Sequence, residues 1–202
     1  MHGLQHGFNI IEVLISLVVL AILVTLGAPS FSQWLQNQQI RTATDSILNG
    51  LQVARSEAVA RNTNVSFQFM DGLSSTCARS AFGSGGVLLN QNWVVSVGDP
   101  SGACDQKIGD TPPGPVIQSR SESEGTPNTA ATPAPGGTTT VTYTPLAATT
   151  NNPDGSLTLQ RVDVTNLVSA GAARPLRIII NPGGSLRMCD PVTVAPDPRA
   201  CP

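Results

Sequence analysis

Glu12 is the side chain most at odds with its neighbours. It is the only charged residue before Arg41, and it sits between Phe8-Asn-Ile-Ile11 and a run from Val13 to Ala28 that is apolar apart from Ser16 and Thr25. A carboxylate at the centre of a membrane helix costs about 2.5–3.5 kcal/mol, and less near an end, so it calls for a positive partner. No Lys or Arg lies near it in the chain. Cleavage between Gly7 and Phe8 would create an α-amine four residues before Glu12, on the same helical face. That amine, or the one on a neighbouring chain, is the obvious counter-charge.

The remaining reactive groups argue against catalysis and against metal. His2 and His6 are the only histidines, so Ser-His-Asp and Cys-His arrangements in the body of the chain are excluded. Gly83-Ser-Gly-Gly86 is followed by Val-Leu-Leu with no Lys-Ser/Thr, so it is no phosphate-binding P-loop. Asp99, Asp105 and Asp110 lack the spacing of a calcium loop. Cys77, Cys104, Cys189 and Cys201 form no CxxC pair and have no histidine near them, which removes a zinc site. Four cysteines behind an apolar N-terminal segment are expected to form disulfides in an oxidising compartment. Of the three possible connectivities, Cys77–Cys104 with Cys189–Cys201 is favoured because each bridge closes a local loop.

Three simpler readings of the N-terminal segment fit less well. A cleaved secretory signal needs a positive n-region, and residues 1–7 contain no Lys or Arg. A plain anchor would not ordinarily carry a carboxylate inside its apolar run, and a buried helix is rarely apolar on all sides for so long. Beyond Pro29 the pattern becomes amphipathic: Ile40, Ala43, Ile47, Leu51, Ala54 and Ala58 recur at three- and four-residue steps. A helix from Phe8 to about Arg61 follows, some 80 Å long at 1.5 Å per residue. The proline would weaken it near residue 29 by removing a hydrogen bond and crowding the preceding turn.

After the helix, frequent glycine (19) and proline (16) with a single lysine suit a loop-rich β domain of 202 residues in all. Strands are expected at 65–69, 93–97, 116–120, 139–144, 157–164, 176–180 and 185–188, several of them alternating apolar and polar residues. Asn181-Pro-Gly-Gly184 makes the hairpin turn between the last two. The stretch from Ser121 to Thr138, rich in Ser, Thr, Pro, Gly and Ala, reads as a mobile loop. A net charge of -2 makes no global case for nucleic acid, although the end of the chain is locally basic, with Arg174, Arg177, Arg187 and Arg199 against Asp190 and Asp197.

Gly7-Phe8-Asn9-Ile10-Ile11-Glu12 resembles the G-F-T-L-I-E processing site of type IV prepilins and pseudopilins. Leu51-x-x-Ala-Arg-Ser-Glu-Ala-Val-x-Arg61 resembles the run that leads into the first strand in the narrower GspH/FimT (FimU) minor pilin group. Asn92-Trp93-Val-Val-Ser-Val97 with Asp99 resembles that group's Trp-rich strand and acidic loop. The resemblance implies an α+β pilin-like fold, in which a long N-terminal helix packs on a β-rich head of antiparallel sheets. It divides the chain into a cleaved leader (1–7), a transmembrane and filament-core helix (8–29), and an amphipathic helix with a periplasmic head (30–202). It further implies a prepilin peptidase that cuts after Gly7 and methylates Phe8, pairing of Glu12 with a neighbour's N-terminus during assembly, and a helix kink at Pro29. Residence in the inner membrane comes before incorporation into the filament beside other major and minor pilins. Asn9 departs from the usual threonine, and the leader lacks the basic residues that normally hold it in the cytoplasm.

The function implied is that of a non-enzymatic minor pilin without cofactor, helping to initiate a type IV pilus at its tip; the alternative is an H-type pseudopilin of type II secretion. DNA-uptake members of the FimT group bind DNA through G-R-x-R, and here Gly184-Ser-Leu-Arg187 keeps only the second arginine, with Arg174 and Arg177 nearby. DNA is therefore a further candidate partner.

Overall fold

The six apolar positions that step along the second half of the helix are all buried, between 0 and 4% exposed. This is the stripe that a period of 3.6 residues creates when one helical face is covered. The computed structural model describes residues 9–112, 114–124, 128–167 and 173–202, and for residues 26–29 the backbone alone. Helix α1 runs from Ile10 to Arg61. It ends where Asn62 takes a left-handed conformation (φ 50°, ψ 40°) and its N–H returns to the carbonyls of Ala58 and Val59, a C-terminal closure that asparagine tolerates better than most residues.

Among the described residues the head has nine strands in two antiparallel sheets. The first has the order β3-β2-β1-β5-β6, with β1 Val65–Met70, β2 Asn92–Ser96, β3 Val116–Arg120, β5 Thr140–Tyr143 and β6 Thr149–Thr150. The second has the order β4-β7-β8-β9, with β4 Thr129–Ala134, β7 Arg161–Asn166, β8 Leu176–Ile180 and β9 Leu186–Cys189. The architecture is thus α+β, a long helix packed on antiparallel sheets. Val65, Phe67 and Phe69 from β1, Val162 and Val164 from β7, and Ile178 and Ile180 from β8 meet the helical stripe in one core.

Two strands depart from the sequence reading. β4 lies inside the stretch read as a mobile loop, and pairs along its whole length with β7, from Thr129↔Asn166 to Ala134↔Arg161. Its sequence, Thr-Ala-Ala-Thr-Pro-Ala, has no large apolar residue to betray burial, yet Ala130 and Ala131 are 3 and 0% exposed. Backbone pairing and small side chains do there what bulk does elsewhere. β6 was not anticipated either. It is a two-residue edge pairing of Thr142↔Thr150 and Tyr143↔Thr149, too short to carry a periodic signal.

Gly50 shows how closely helix and sheet approach. A Cβ placed there would stand 2.8 Å from Phe67 Cε2 and 3.0 Å from two ring carbons of Trp93. Phe67 in turn packs edge-on against Phe69 and tilted against Trp93. The Trp93 indole N–H donates to the Ser46 hydroxyl at 3.0 Å, so the largest core side chain also satisfies its one polar atom.

Candidate functional site

The first half of α1 belongs to no core. From Ile10 to Val24 every large apolar side chain is between 45 and 78% exposed. Glu12 lies on this surface, exposed, with Ile15, Ser16, Val19 and Leu23 following at helical spacing. Among the described residues no cation forms an ion pair with it. The two hydroxyls of the segment are spent locally: Ser16 donates to the Glu12 carbonyl, and Thr25 donates to the Ile22 carbonyl at 2.9 Å. Each hydroxyl is thereby satisfied within its own helix turn. Gly7 and Phe8 lie outside the described residues.

Among the described residues no single helix is long and apolar enough to cross a membrane; Ile10–Thr25 and Ser30–Arg61 pass such a test only together, bent by 41° to one another. The apolar segment Ile10–Thr25 by itself rises about 24 Å against a hydrocarbon core of about 30 Å. Pro29 lies at the break between the two segments.

The second half of α1 explains the Leu51–Arg61 run in physical terms. Leu51, Ala54 and Ala58 are wholly buried. Arg55 donates from Nε to the Ala147 carbonyl at 3.4 Å, tying the helix to the turn before β6. Glu57 and Arg61, one turn apart, form an ion pair at 2.6 Å. The run is a scaffold that docks the head.

Both disulfides are present. Cys77–Cys104 closes a separation of 27 residues and is buried with Met70, Val94 and Val116 in a second, smaller core. Cys189–Cys201 closes 12 residues and fastens the C-terminal loop to the end of β9. Beside the first bridge, Arg79 contacts both Asp154 and, at 3.3 Å, Asp99. Partial burial works to raise both carboxyls, but hydrogen bonds from Ser156 to Asp154 and from Ser101 to Asp99, with Arg79, outweigh it. Asp154 is held at about 2, and Asp99 is also lowered.

Of the three arginines proposed for DNA, Arg177 and Arg187 are diagonal neighbours on adjacent strands and Arg174 lies apart. Arg177 is clamped by Asp163, Nε to Oδ1 at 2.5 Å and Nη2 to Oδ2 at 3.2 Å, and Arg161 reaches the same carboxylate at 3.3 Å. Arg187 stands diagonally across the sheet, opposite Ile179, and donates to the Ala200 carbonyl at 3.1 Å. Arg174 lies elsewhere, in a groove of about 710 Å³ between α1 and the end of β9, together with Gln33, Asn37, Arg41, Asp190 and Arg199. Its backbone N–H donates to Asn37 Oδ1 at 2.8 Å. Arg199 is clamped by Asp197 at 2.7 and 3.1 Å. Sequence reasoning missed Arg41 as part of this groove, because 133 residues separate it from Arg174.

The family model described as type II transport protein GspH matches residues 43–184, which is the docking half of α1 and the head as far as the β8–β9 turn. None of the curated proteins matches the chain. Two crystal structures of the type IV minor pilin FimU of Pseudomonas aeruginosa are similar to it at 13% identity, with TM-scores of 0.44 and 0.46. They cover 73 and 75% of this chain and 90 and 88% of theirs.

Proposed function

We propose, since the chain belongs to the GspH family of pilin-like subunits, that it is a minor pilin of a type IV pilus, a non-enzymatic subunit that helps to initiate assembly at the tip. The observation that carries this reading is the uncovered first half of α1, an apolar surface with one carboxylate in it. A head that buries α1 only from Ile40 onward leaves that surface to lipid first and to neighbouring helices afterwards. On this reading the peptidase cuts after Gly7 and methylates Phe8, and Glu12 meets an N-terminal amine within the bundle. Pro29 relieves the helix where membrane and head segments join. The chain is held in the inner membrane with its head in the periplasm until it enters the filament.

The second reading is the H-type pseudopilin of type II secretion, and the description of the matching family favours it. The closing Arg187-Met-Cys189-Asp-Pro with its Cys201 partner resembles the pilus branch more closely and supports the first. Deleting the gene and scoring twitching, secreted exoproteins and DNA uptake separates them. Lost twitching with normal secretion is the expected result, and normal piliation with lost secretion would refute the pilus assignment. Intact-mass analysis of the mature chain should show loss of Met1–Gly7 and gain of one methyl group; an uncut chain would refute the processing step.

A further inference from the structure

A helix face that the head cannot cover follows directly on the apolar run. Between Val13 and Ile40 the chain has no charged residue, a length of about 42 Å along the helix at 1.5 Å per residue. A bilayer with both headgroup layers is about 40–45 Å thick. Past Pro29 the sequence turns polar, with Ser30, Ser32, Gln33, Gln36 and Asn37, yet Phe31, Trp34 and Leu35 interrupt it. These three are open, at 60, 54 and 43% exposure. The two rings stack on each other, with centroids 5.8 Å apart and planes 25° from parallel.

Helical spacing places the three on one side. At about 100° per residue, Phe31 is half a turn away from Ile40, and Trp34 and Leu35 flank Phe31. Ile40 begins the stripe that the head buries, so the triad points away from the head. Gln33 and Asn37, at the same level on the head side, line the groove beside Arg174 instead. The height identifies what surrounds the uncovered face. Ile10–Thr25 rises about 24 Å, and a hydrocarbon core of about 30 Å ends some four residues later, close to Ser30. Phe31 and Trp34 then stand at and just above the hydrocarbon edge. Aromatic rings with a polar tip concentrate in that layer, because the ring is apolar while the N–H finds oxygen.

We infer that Phe31, Trp34 and Leu35 form an interfacial anchor, seated among the glycerol esters and phosphates of the leaflet nearest the head in the membrane that holds the chain before assembly. The Trp34 N–H donates to an ester or phosphate oxygen, and the stacked rings lie against the first methylenes of the acyl chains. Seating the triad there sets the depth of the whole helix. Glu12 lies 19 residues before Phe31, about 28 Å along the helix. It therefore reaches the opposite edge of the hydrocarbon, where a carboxylate costs less than at the centre. Ile40, where the head begins to cover the helix, lies about 9 Å beyond Trp34. The inference rests on the membrane-held reading and adds that embedding continues past Pro29 to a defined stop.

Tryptophan fluorescence tests the anchor, because the chain has two tryptophans and the other is remote from lipid. Trp93 is 2% exposed in the head core and bonded to Ser46, about 18 Å farther along α1. The full chain is reconstituted, at a low ratio of protein to lipid, into vesicles of equal parts phosphatidylethanolamine and phosphatidylglycerol. Part of the lipid carries bromine either near the glycerol end of one acyl chain or near its terminal methyl. The shallow bromines should quench the emission more than the deep ones, and Trp34→Phe should abolish that difference. On the Trp34→Phe background, Ile11→Trp should again favour the shallow label and Leu20→Trp the deep one. Non-reducing mass analysis of every variant checks that both disulfides have formed. Emission from Trp34 that neither label quenches, stronger quenching by the deep label, or an Ile11→Trp reporter lying deeper than Leu20→Trp would each overturn the anchor. Flotation of the vesicles on a density gradient separates this from the underlying reading. A chain that does not float refutes membrane residence and anchor together, whereas one that floats with Trp34 unquenched refutes the anchor alone.

Discussion

Gly50→Ala should destabilise the head, although alanine is the better helix former. Replacing a mid-helix glycine by alanine ordinarily gains about 1 kcal/mol. Here the added methyl would meet Phe67 Cε2 at 2.8 Å and Trp93 ring carbons at 3.0 Å, separations at which something must shift. Neither ring can move freely, since Phe67 and Trp93 are 0 and 2% exposed, Phe67 is braced by Phe69, and the indole is held by Ser46. Overpacking of a closed core costs about 1–3 kcal/mol. The net is a loss of about 1 kcal/mol, or a fall of roughly 2–4 °C in Tm for a domain of this size. Thermal unfolding of the detergent-solubilised chain, followed by far-ultraviolet circular dichroism with both disulfides intact, measures it. Trp93→Leu in the same background supplies the control. It removes ring carbons from the site, so the cost of Gly50→Ala should shrink, with a coupling above about 0.5 kcal/mol between the two changes. A Gly50→Ala chain that melts higher by the ordinary propensity gain would refute the claim that helix and sheet meet in contact at Gly50.

Glu12→Leu should leave cleavage and head folding intact and remove a membrane penalty of up to about 3 kcal/mol; its incorporation into filaments, read by immunoblot of sheared filaments, should nevertheless be lost, and undiminished incorporation would refute the assembly role. Acid should loosen the loops around Arg79. Asp154 is held at about 2 and Asp99 is lowered, against an ordinary aspartate value of about 3.9. A depressed folded value contributes stability that is complete above about pH 4 and is lost as pH falls towards 2. Arg79→Ala should flatten that part of the stability–pH curve, and an unchanged slope between pH 4 and 2 would count against the pairing. Cys189→Ser with Cys201→Ser releases a 12-residue closure, worth about 3 kcal/mol on the chain-entropy account. The Tm should fall by several degrees while the Cys77–Cys104 core stays folded; an unchanged Tm would show that the C-terminal loop is held by its other contacts.

How much could be read in advance depended on whether the signal was local. Ile40, Ala43, Ile47, Leu51, Ala54 and Ala58 could be listed as one buried face because helical geometry turns spacing into direction. The strands at 65, 116 and 176 were legible for the same kind of reason, as was the turn at Asn181–Gly184. β4 was not, because a strand of alanines and threonines is held by the backbone groups of β7, and those leave no trace in its own composition.

The candidate site divides in the same way. Glu12 in its apolar run, the pattern before it and the even number of cysteines are properties of the sequence itself, and the expectations of a cut chain, a counter-charge and an oxidising compartment rest on them alone. Which charges neighbour which was settled only by the tertiary structure. It tied Arg177 to Asp163, turned Arg187 towards Ala200, and set Arg174 beside Arg41 from the far end of the chain. A charge acts over about 8 Å in physiological salt, so its partners are chosen by distance in space, and that distance follows from how the two sheets close around α1.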